Sequence, residues 1–198
     1  MSHFVGITVD TMGVGVGEMV APYDEQIEVD EYEVGKVSDE DKQRFLEFYR
    51  EKYPEEKEHS FDELYADHGE GWNGSAWRKD EDGEWTSYST YNPKSKWDWY
   101  AEGFMGRWQD FMQLKDGTKT NSCKLKDLDL EATKENPPYC LIIDGVWYER
   151  GEMGWFGISN DKYSKDDWGQ EVFDKLTETL KEKELADDAQ VVVVDFHI

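Results

Sequence analysis

The sequence predicts an α+β fold: a single domain over residues 1–198 whose sheet is mostly antiparallel, contains the first and last strands, and carries about three helices on one side. Two observations support this prediction. Short runs of β-branched and aromatic residues, separated by turn signals, outnumber the segments with helical periodicity and occur at both ends of the chain. The few helical segments each begin at a clear capping residue.

The chain begins and ends with predicted strands. Residues 3–9 read HFVGITV, and the chain closes on QVVVVDFHI, whose four consecutive valines favour a strand buried on both faces at the centre of the sheet. If these two strands are neighbours, His3 approaches His197. The clearest hairpin lies between them and joins residues 139–143 to 146–149 through Asp144-Gly145.

Three segments predict helices. Ser38 caps the first, over residues 39–52, and three acidic residues occupy its first turn. Ser60 and Glu63 form a capping box at the start of a second, short helix. Ser164 caps the third, in which apolar residues recur every four positions: Trp168, Val172, Leu176 and Leu180. By contrast, residues 107–114 predict a further strand, and residues 118–138 predict an irregular polar segment.

Charge is the strongest global property of the chain. It carries 46 acidic and 22 basic side chains, a formal net charge of −24. Such a surface repels nucleic acid and anionic lipid and attracts basic protein surfaces, and the alternative is that the charge serves solubility alone. The interaction hypothesis predicts a protein partner and no direct nucleic-acid or membrane binding. The acidic segment 21–36 is expected to be mobile or to form an edge strand around Ile27 and Val29. Its predicted partner-binding residues are Asp24, Glu25, Glu28, Asp30, Glu31 and Glu33.

Several other site classes have no support in the sequence. There is no apolar run of about 20 residues and no secretory signal, so we expect a cytoplasmic protein. Cys123 and Cys140 do not form a disulfide framework, and two free thiols are favoured over one bridge. Neither a metal site nor a cofactor is indicated. The run TMGVGVGEMV at residues 11–20 lacks the lysine and the following helix of a phosphate-binding loop.

A tryptophan-rich stretch at residues 85–111 suggests a ligand site. It lies partly in a basic island, residues 94–126, with seven basic and four acidic side chains. Rings could stack on a base, Arg107 could bind phosphate, and Asp98 could bind a sugar. Alternation predicts Trp97 and Trp99 on one face of a strand, with Asp98 and Tyr100 on the other. The candidate ligand-binding residues are Lys96, Trp97, Asp98, Tyr100, Arg107, Trp108, Asp195 and His197.

A structural alternative explains the same residues without a ligand. The tryptophan side chains would then form the core, Arg107 would pair with Asp98 or Asp110, and His197 would merely end a strand. Carboxylates are so numerous in this chain that no particular pair points to catalysis, and whether the protein is an enzyme stays open.

Six short motifs are distributed over most of the chain: HFVGITV near the start, APYDE at residues 21–25, NPKSKWDWY at residues 92–100, GRW at residues 106–108, MGW at residues 153–155, and the closing VDFHI. Together they resemble the motifs of a group of bacteriophage-encoded accessory proteins. The chain departs from the group's shorter spacing at residues 101–106, where it reads AEGFMG. The resemblance implies a phage origin and a host-cytoplasm setting, and it implies no reaction.

Two functional hypotheses follow. In the first, a phage counter-defence protein inhibits a host protein through an acidic surface that mimics nucleic acid. In the second, the protein binds a nucleotide or another small ligand in a pocket of tryptophan and arginine side chains, and either sequesters or processes it.

Overall fold

A computed structural model describes residues 2–69, 76–153, 159–182 and 186–198. Within these ranges the chain forms thirteen strands and five α-helices, which confirms the α+β class and corrects the expected helix count. In chain order they are β1 (His3–Asp10), α1 (Val16–Val20), β2 (Tyr32–Lys36), α2 (Asp39–Lys52), α3 (Phe61–His68), β3 (Ala76–Lys79), β4 (Trp85–Ser89), β5 (Trp99–Glu102), β6 (Met112–Gln113), β7 (Lys119–Thr120), β8 (Ser122–Lys124), α4 (Leu130–Glu135), β9 (Cys140–Ile143), β10 (Val146–Glu149), β11 (Gly151–Met153), β12 (Ser159–Asp161), α5 (Lys165–Glu182) and β13 (Gln190–His197).

The chain divides into two compact units. The larger unit comprises residues 1–26 and 93–198, and the smaller one comprises residues 27–92. Each is described separately below, and the single-domain assignment stays a prediction.

The larger unit is organised around a sheet with strand order β10-β9-β1-β13-β5, in which β8 also pairs with β13. β1 runs antiparallel to β13, with His3 opposite His197. The pairing of β1 with β9 is parallel, and the other pairs in this sheet are antiparallel. The closing strand therefore lies inside the sheet next to the first strand, as predicted from its run of valines.

Alternating side chains divide this unit into two apolar layers. On one face, Val5 and Ile7 pack with Val191 and the inward side of α5. On the other face, Phe4 and Phe196 pack with the residues of α1. Helices thus cover both faces, so the expectation that they lie on one side is wrong. Helix α1 was not predicted, because its five residues are too few to show helical periodicity.

The three predicted helices are present with their predicted caps. Ser38 accepts the Asp41 N–H at the start of α2, and Ser60 forms a full capping box with Glu63. The Ser164 hydroxyl likewise accepts the Asp167 N–H before α5. A further helix, α4, corrects the expectation of an irregular segment over residues 118–138, and Asp129 caps it.

The predicted hairpin β9–β10 turns at Asp144 and Gly145, whose φ angles are 49° and 82°. Positive φ at both central residues suits the twist of an antiparallel pair, which explains the Asp-Gly sequence.

The strand predicted over residues 107–114 is confined to β6, at Met112–Gln113. A 3₁₀ turn at Gly103–Met105 precedes it. Phe104 and Met105 in this turn are 78% and 87% exposed.

The smaller unit contains a three-stranded sheet of order β2-β4-β3 together with α2 and α3. Its buried core consists of Val37, Phe45, Leu64 and Trp77. The acidic segment does supply an edge strand, β2, but at Tyr32–Lys36 rather than around Ile27 and Val29.

Candidate functional site

The eight predicted ligand-binding residues do not form one pocket. Trp97 is buried at 6% exposure, and its Nε1–H donates to the Val20 carbonyl oxygen at 3.2 Å. Tyr100 packs edge-on against Trp97 with 5.0 Å between ring centroids, and burial raises the pKa of its hydroxyl. Both residues belong to the core, which favours the structural alternative for them.

Trp97 and Trp99 lie on opposite faces of the sheet, so the predicted alternation is wrong. β5 begins only at Trp99, and Trp97 precedes it in an isolated bridge with Asp24. Trp99 lies opposite His197 in the β5–β13 register and stacks on its ring at 5.3 Å between centroids.

A histidine–aspartate cluster forms where the first and last strands meet. His3 Nδ1 lies 3.0 Å from Asp195 Oδ1, and His197 Nδ1 lies 2.5 Å from Asp98 Oδ1. The two imidazole rings meet edge to face with 4.9 Å between their centroids. The predicted approach of His3 to His197 is therefore confirmed, and Asp195 and His197 share one face of β13.

The backbone holds Asp195 in place. Its carboxylate is 2% exposed, and its second oxygen accepts the Arg107 N–H at 2.9 Å. A Cβ on Gly106 would lie 2.6 Å from Asp195 Cβ, so this approach of the chain requires glycine. The Arg107 side chain itself is exposed and forms no ion pair with another described residue, neither Asp98 nor Asp110.

A pocket of about 250 Å³ adjoins this cluster. His3 lines it together with Trp108, Tyr139, Arg150 and Lys165. Arg150 forms an ion pair with Asp161 at 2.6 Å. The Nε1 of Trp108 and the Nε of Arg150 are both buried, and neither has a hydrogen-bond partner among the described residues. We call this cavity the His3 pocket.

A larger cleft of about 480 Å³ surrounds Lys96. Four lysines line it, which is unusual in a chain of net charge −24: Lys94, Lys96, Lys162 and Lys175. Five aromatic side chains line it as well: Tyr23, Trp147, Tyr148, Tyr163 and Trp168. We call this cavity the lysine cleft.

Two glutamates partly neutralise the lysine cleft. Glu149 accepts from Lys96 Nζ and from Trp147 Nε1, each at 2.9 Å. Glu171 pairs with Lys175 at 3.0 Å, and the Lys175 ammonium lies 3.9 Å from the centroid of the Tyr148 ring. Four lysines against these two acids leave an excess of positive charge beside aromatic faces, which suits a flat anion.

Sequence reasoning placed Lys96 in a ligand site but missed most of the lysine cleft. Its lining comes from β10, from α5 and from the loop segments around residues 23, 94 and 162. Because these residues are far apart in the sequence, no motif with a fixed spacing predicts the cleft. The only signal was the basic island at residues 94–126, and just two of the four cleft lysines lie inside it.

The glycine run after β1 already binds an anion of the chain itself. The Asp10 carboxylate accepts the N–H groups of Gly13 at 2.6 Å and Gly15 at 2.7 Å, and also those of Met12 and Val14. A helix, α1, begins at Val16, directly after Gly15, although no helix was expected there. The Asp10 carboxylate nevertheless occupies the place that a phosphate would take.

The predicted acidic residues are distributed over both compact units. Asp24 and Glu25 belong to the larger unit, and Glu31 pairs with Arg78 inside the smaller one. Glu28, Asp30 and Glu33 are exposed there, next to the exposed side chains of Ile27 and Val34. Residues 27–92 carry 20 acidic and eight basic side chains, a net of −12, which is half the net charge in a third of the chain.

Both cysteines are free thiols, as predicted. Burial, with a smaller contribution from Asp127, raises the pKa of Cys123 to about 11, and burial also raises the pKa of Cys140. Neither is therefore an activated nucleophile. In the described ranges no group of three or more histidine, cysteine or acidic side chains is arranged to hold a metal ion. Among the helices that are described, none is long and apolar enough to cross a membrane.

Comparison with protein-family models, with curated proteins and with solved structures found no significant match to this chain.

Proposed function

We propose that this protein binds a small anionic ligand with a flat ring, of the nucleotide class, in the lysine cleft. The observation that supports this most is the convergence of four lysines on aromatic faces in a chain of net charge −24. This is the ligand-binding hypothesis of the sequence analysis, with Lys96 retained and the other binding residues replaced.

The contacts in the lysine cleft suggest that an aromatic side chain stacks on the ring of the ligand and that a lysine binds its phosphate. Trp147 is held by its Nε1–H bond to Glu149 and by the ring of Tyr23, 5.0 Å away between centroids, so it offers a fixed face for stacking. Lys162 is exposed and forms no ion pair with any other described residue. It is therefore the lysine whose charge is most available to a phosphate.

Replacing Lys162 with glutamate is expected to weaken nucleotide binding at least tenfold, because charge-assisted hydrogen bonds contribute about 1.5–3 kcal/mol and tenfold corresponds to about 1.4 kcal/mol. Titration calorimetry with adenosine mono-, di- and triphosphate measures the change, and tripolyphosphate and adenosine show which half of the ligand is recognised. Lys181→Glu is the matched control. It makes the same change of charge, and Lys181 lies on α5 and does not line the cleft. No binding to the wild-type protein, or equal weakening by both variants, would contradict the proposal.

A second function is supported by a separate observation, the concentration of half the net negative charge in residues 27–92. We propose that this smaller unit, in a phage counter-defence protein acting in the host cytoplasm, binds a basic surface of a host protein. Exposed carboxylates would contact the lysine and arginine side chains that otherwise bind nucleic acid. The exposed Ile27 and Val34 beside them would add apolar contact.

The acidic hypothesis predicts capture of a host protein that depends on salt and on specific carboxylates. The experiment is a pull-down from nuclease-treated bacterial lysate at 50 and 500 mM salt. The wild-type protein is expected to capture the host protein at 50 mM salt and to lose most of it at 500 mM, because salt screens the attraction between exposed charges. The triple variant Glu28→Gln, Asp30→Asn, Glu33→Gln is expected to lose the captured protein already at 50 mM, because these carboxylates provide the local attraction. Its control removes three exposed acids of the larger unit, Glu131, Glu135 and Glu178, by the same change to glutamine. Equal loss in both triple variants, or capture that is independent of salt, would count against this function.

A further inference from the structure

The His3 pocket has no part in either proposed function, yet its side chains suit a reaction. We propose that it is a hydrolytic site for a phosphodiester, with His3 as the general base. The inference rests on three features of the larger unit: an oriented imidazole, a lysine that forms no ion pair with another described residue, and two buried N–H donors with no partner among the described residues.

The imidazole of His3 is oriented for proton transfer. Its Nδ1 faces the Asp195 carboxylate at 3.0 Å, and a carboxylate at this distance accepts the Nδ1 proton and leaves Nε2 with its lone pair. Asp195 is itself fixed by the Arg107 N–H, so the ring cannot turn without breaking a buried contact. No described group bonds to His3 Nε2, and His3 lines the pocket. This is the orientation that a general base requires.

One lysine in the His3 pocket is available to an anion. Arg150 and Lys165 line the pocket, Asp161 forms an ion pair with Arg150, and Asp195 faces His3. Lys165 forms no ion pair with another described residue. A phosphodiester carries one negative charge, whereas a phosphate monoester carries close to two at neutral pH. A single lysine contact suits the single charge of a diester.

Two N–H donors are available for the phosphoryl oxygens. Trp108 Nε1 and Arg150 Nε are buried and find no partner in the part of the chain that the structure describes, which costs free energy unless a ligand accepts their hydrogen bonds. Both residues line the same pocket as His3. A non-bridging phosphate oxygen that bonded to either donor would satisfy it, and the rings of Trp108 and Tyr139 line the same pocket as faces for an aromatic substituent.

The reaction consumes one water molecule. His3 Nε2 takes a proton from this water as its oxygen forms a bond to phosphorus, and the bond from phosphorus to the leaving oxygen breaks with its electron pair. The leaving oxygen takes up a proton from solvent, and the imidazolium returns its proton to solvent. The products are a phosphate monoester and an alcohol or phenol, with no oxidant or further reactant.

The test uses bis(p-nitrophenyl) phosphate, a diester whose aromatic leaving group is released without protonation. The wild-type protein is expected to release p-nitrophenolate with a kcat/KM at least about 100-fold above that of His3→Gln, because general base catalysis contributes about 10²–10⁴. Trp108→Phe keeps the ring but removes the N–H, and is expected to lower kcat/KM about tenfold or more. Circular dichroism and thermal unfolding confirm that each variant is folded.

His59→Gln makes the same substitution in the smaller unit and is expected to leave the rate unchanged. All four proteins are purified in parallel, so a contaminating nuclease would give the same rate in each. A wild-type rate no higher than that of a folded His3→Gln would overturn the proposal, as would an equal loss in His59→Gln. This outcome is independent of nucleotide binding in the lysine cleft, which calorimetry measures separately.

Discussion

Replacing Trp168 with alanine is expected to lower the free energy of unfolding by about 3–5 kcal/mol, because a buried tryptophan leaves a large cavity when truncated. Trp168 is 1% exposed and packs in the core cluster that α5 forms with the sheet. Its Nε1–H also donates to the Pro138 carbonyl oxygen at 2.5 Å, and that oxygen would lose its buried partner. Urea unfolding followed by circular dichroism measures the change.

Trp168→Phe separates the two contributions. Phenylalanine fills most of the cavity and loses only the hydrogen bond, so we expect a cost of about 1–2 kcal/mol. If the alanine variant were no less stable than the phenylalanine variant, the side chain would not be the packing centre that its burial indicates. Trp168 lines both the lysine cleft and the His3 pocket, so its variants test the fold and are unsuitable as tests of either site.

The parts of the fold that the sequence predicts correctly depend on local signals. Ser60 and Glu63 predict the start of α3, because a capping box involves only four consecutive residues. The Asp144-Gly145 turn is equally local, since its positive φ angles restrict the residue types that suit it. The valines of β13 show burial on both faces because no polar residue interrupts them.

The elements that were not predicted correctly either lack local signals or are determined by pairing with a distant strand. α1 has five residues and α4 has six, which is less than two helical turns. Trp97 was expected to share a face with Trp99, but alternation applies only within a strand, and β5 starts at Trp99. The start of that strand is determined by its pairing with β13, whose partner residues are 92 to 98 positions away in the chain, so no local pattern shows it.

The sites depend even more on distant pairing. His3 and Asp195 are 192 positions apart in the sequence and meet because β1 and β13 are adjacent. The sequence analysis named Asp195 and His197 and noted the approach of His3 if the first and last strands were neighbours. It did not find Arg150 or Lys165, which reach the His3 pocket from separate segments, nor Trp147, Tyr148 and Lys162 in the lysine cleft. Arginine and lysine are common on surfaces, and Trp147 and Tyr148 resemble the other aromatic residues of the core, so only the tertiary structure distinguishes them.

Gly6 lies at the centre of the sheet, and its replacement with alanine is expected to cost about 3 kcal/mol of stability. A Cβ on Gly6 would lie 2.5 Å from Phe196 Cε2 and 2.7 Å from Cys140 Sγ. Neither neighbour has room to retreat, because Phe196 and Cys140 are both 0% exposed and Phe196 packs against the ring of Phe4. Overpacking of this kind shifts the backbone of a buried strand, at a cost of about 1–3 kcal/mol and occasionally more.

Gly17→Ala is the matched control for this substitution. Gly17 lies in α1, and a Cβ there would meet only the Tyr100 hydroxyl oxygen, at 3.4 Å. Alanine inside a helix is favoured over glycine by about 0.5–1 kcal/mol, so this variant is expected to unfold at the same or a higher urea concentration. The double variant Gly6→Ala, Cys140→Ala should recover part of the loss, since it removes the sulfur but leaves the Phe196 ring. Equal stability of the Gly6 and Gly17 variants would show that β1 can move away from Phe196. Such movement would also displace His3 from Asp195, because His3 is on the same strand, three residues from Gly6.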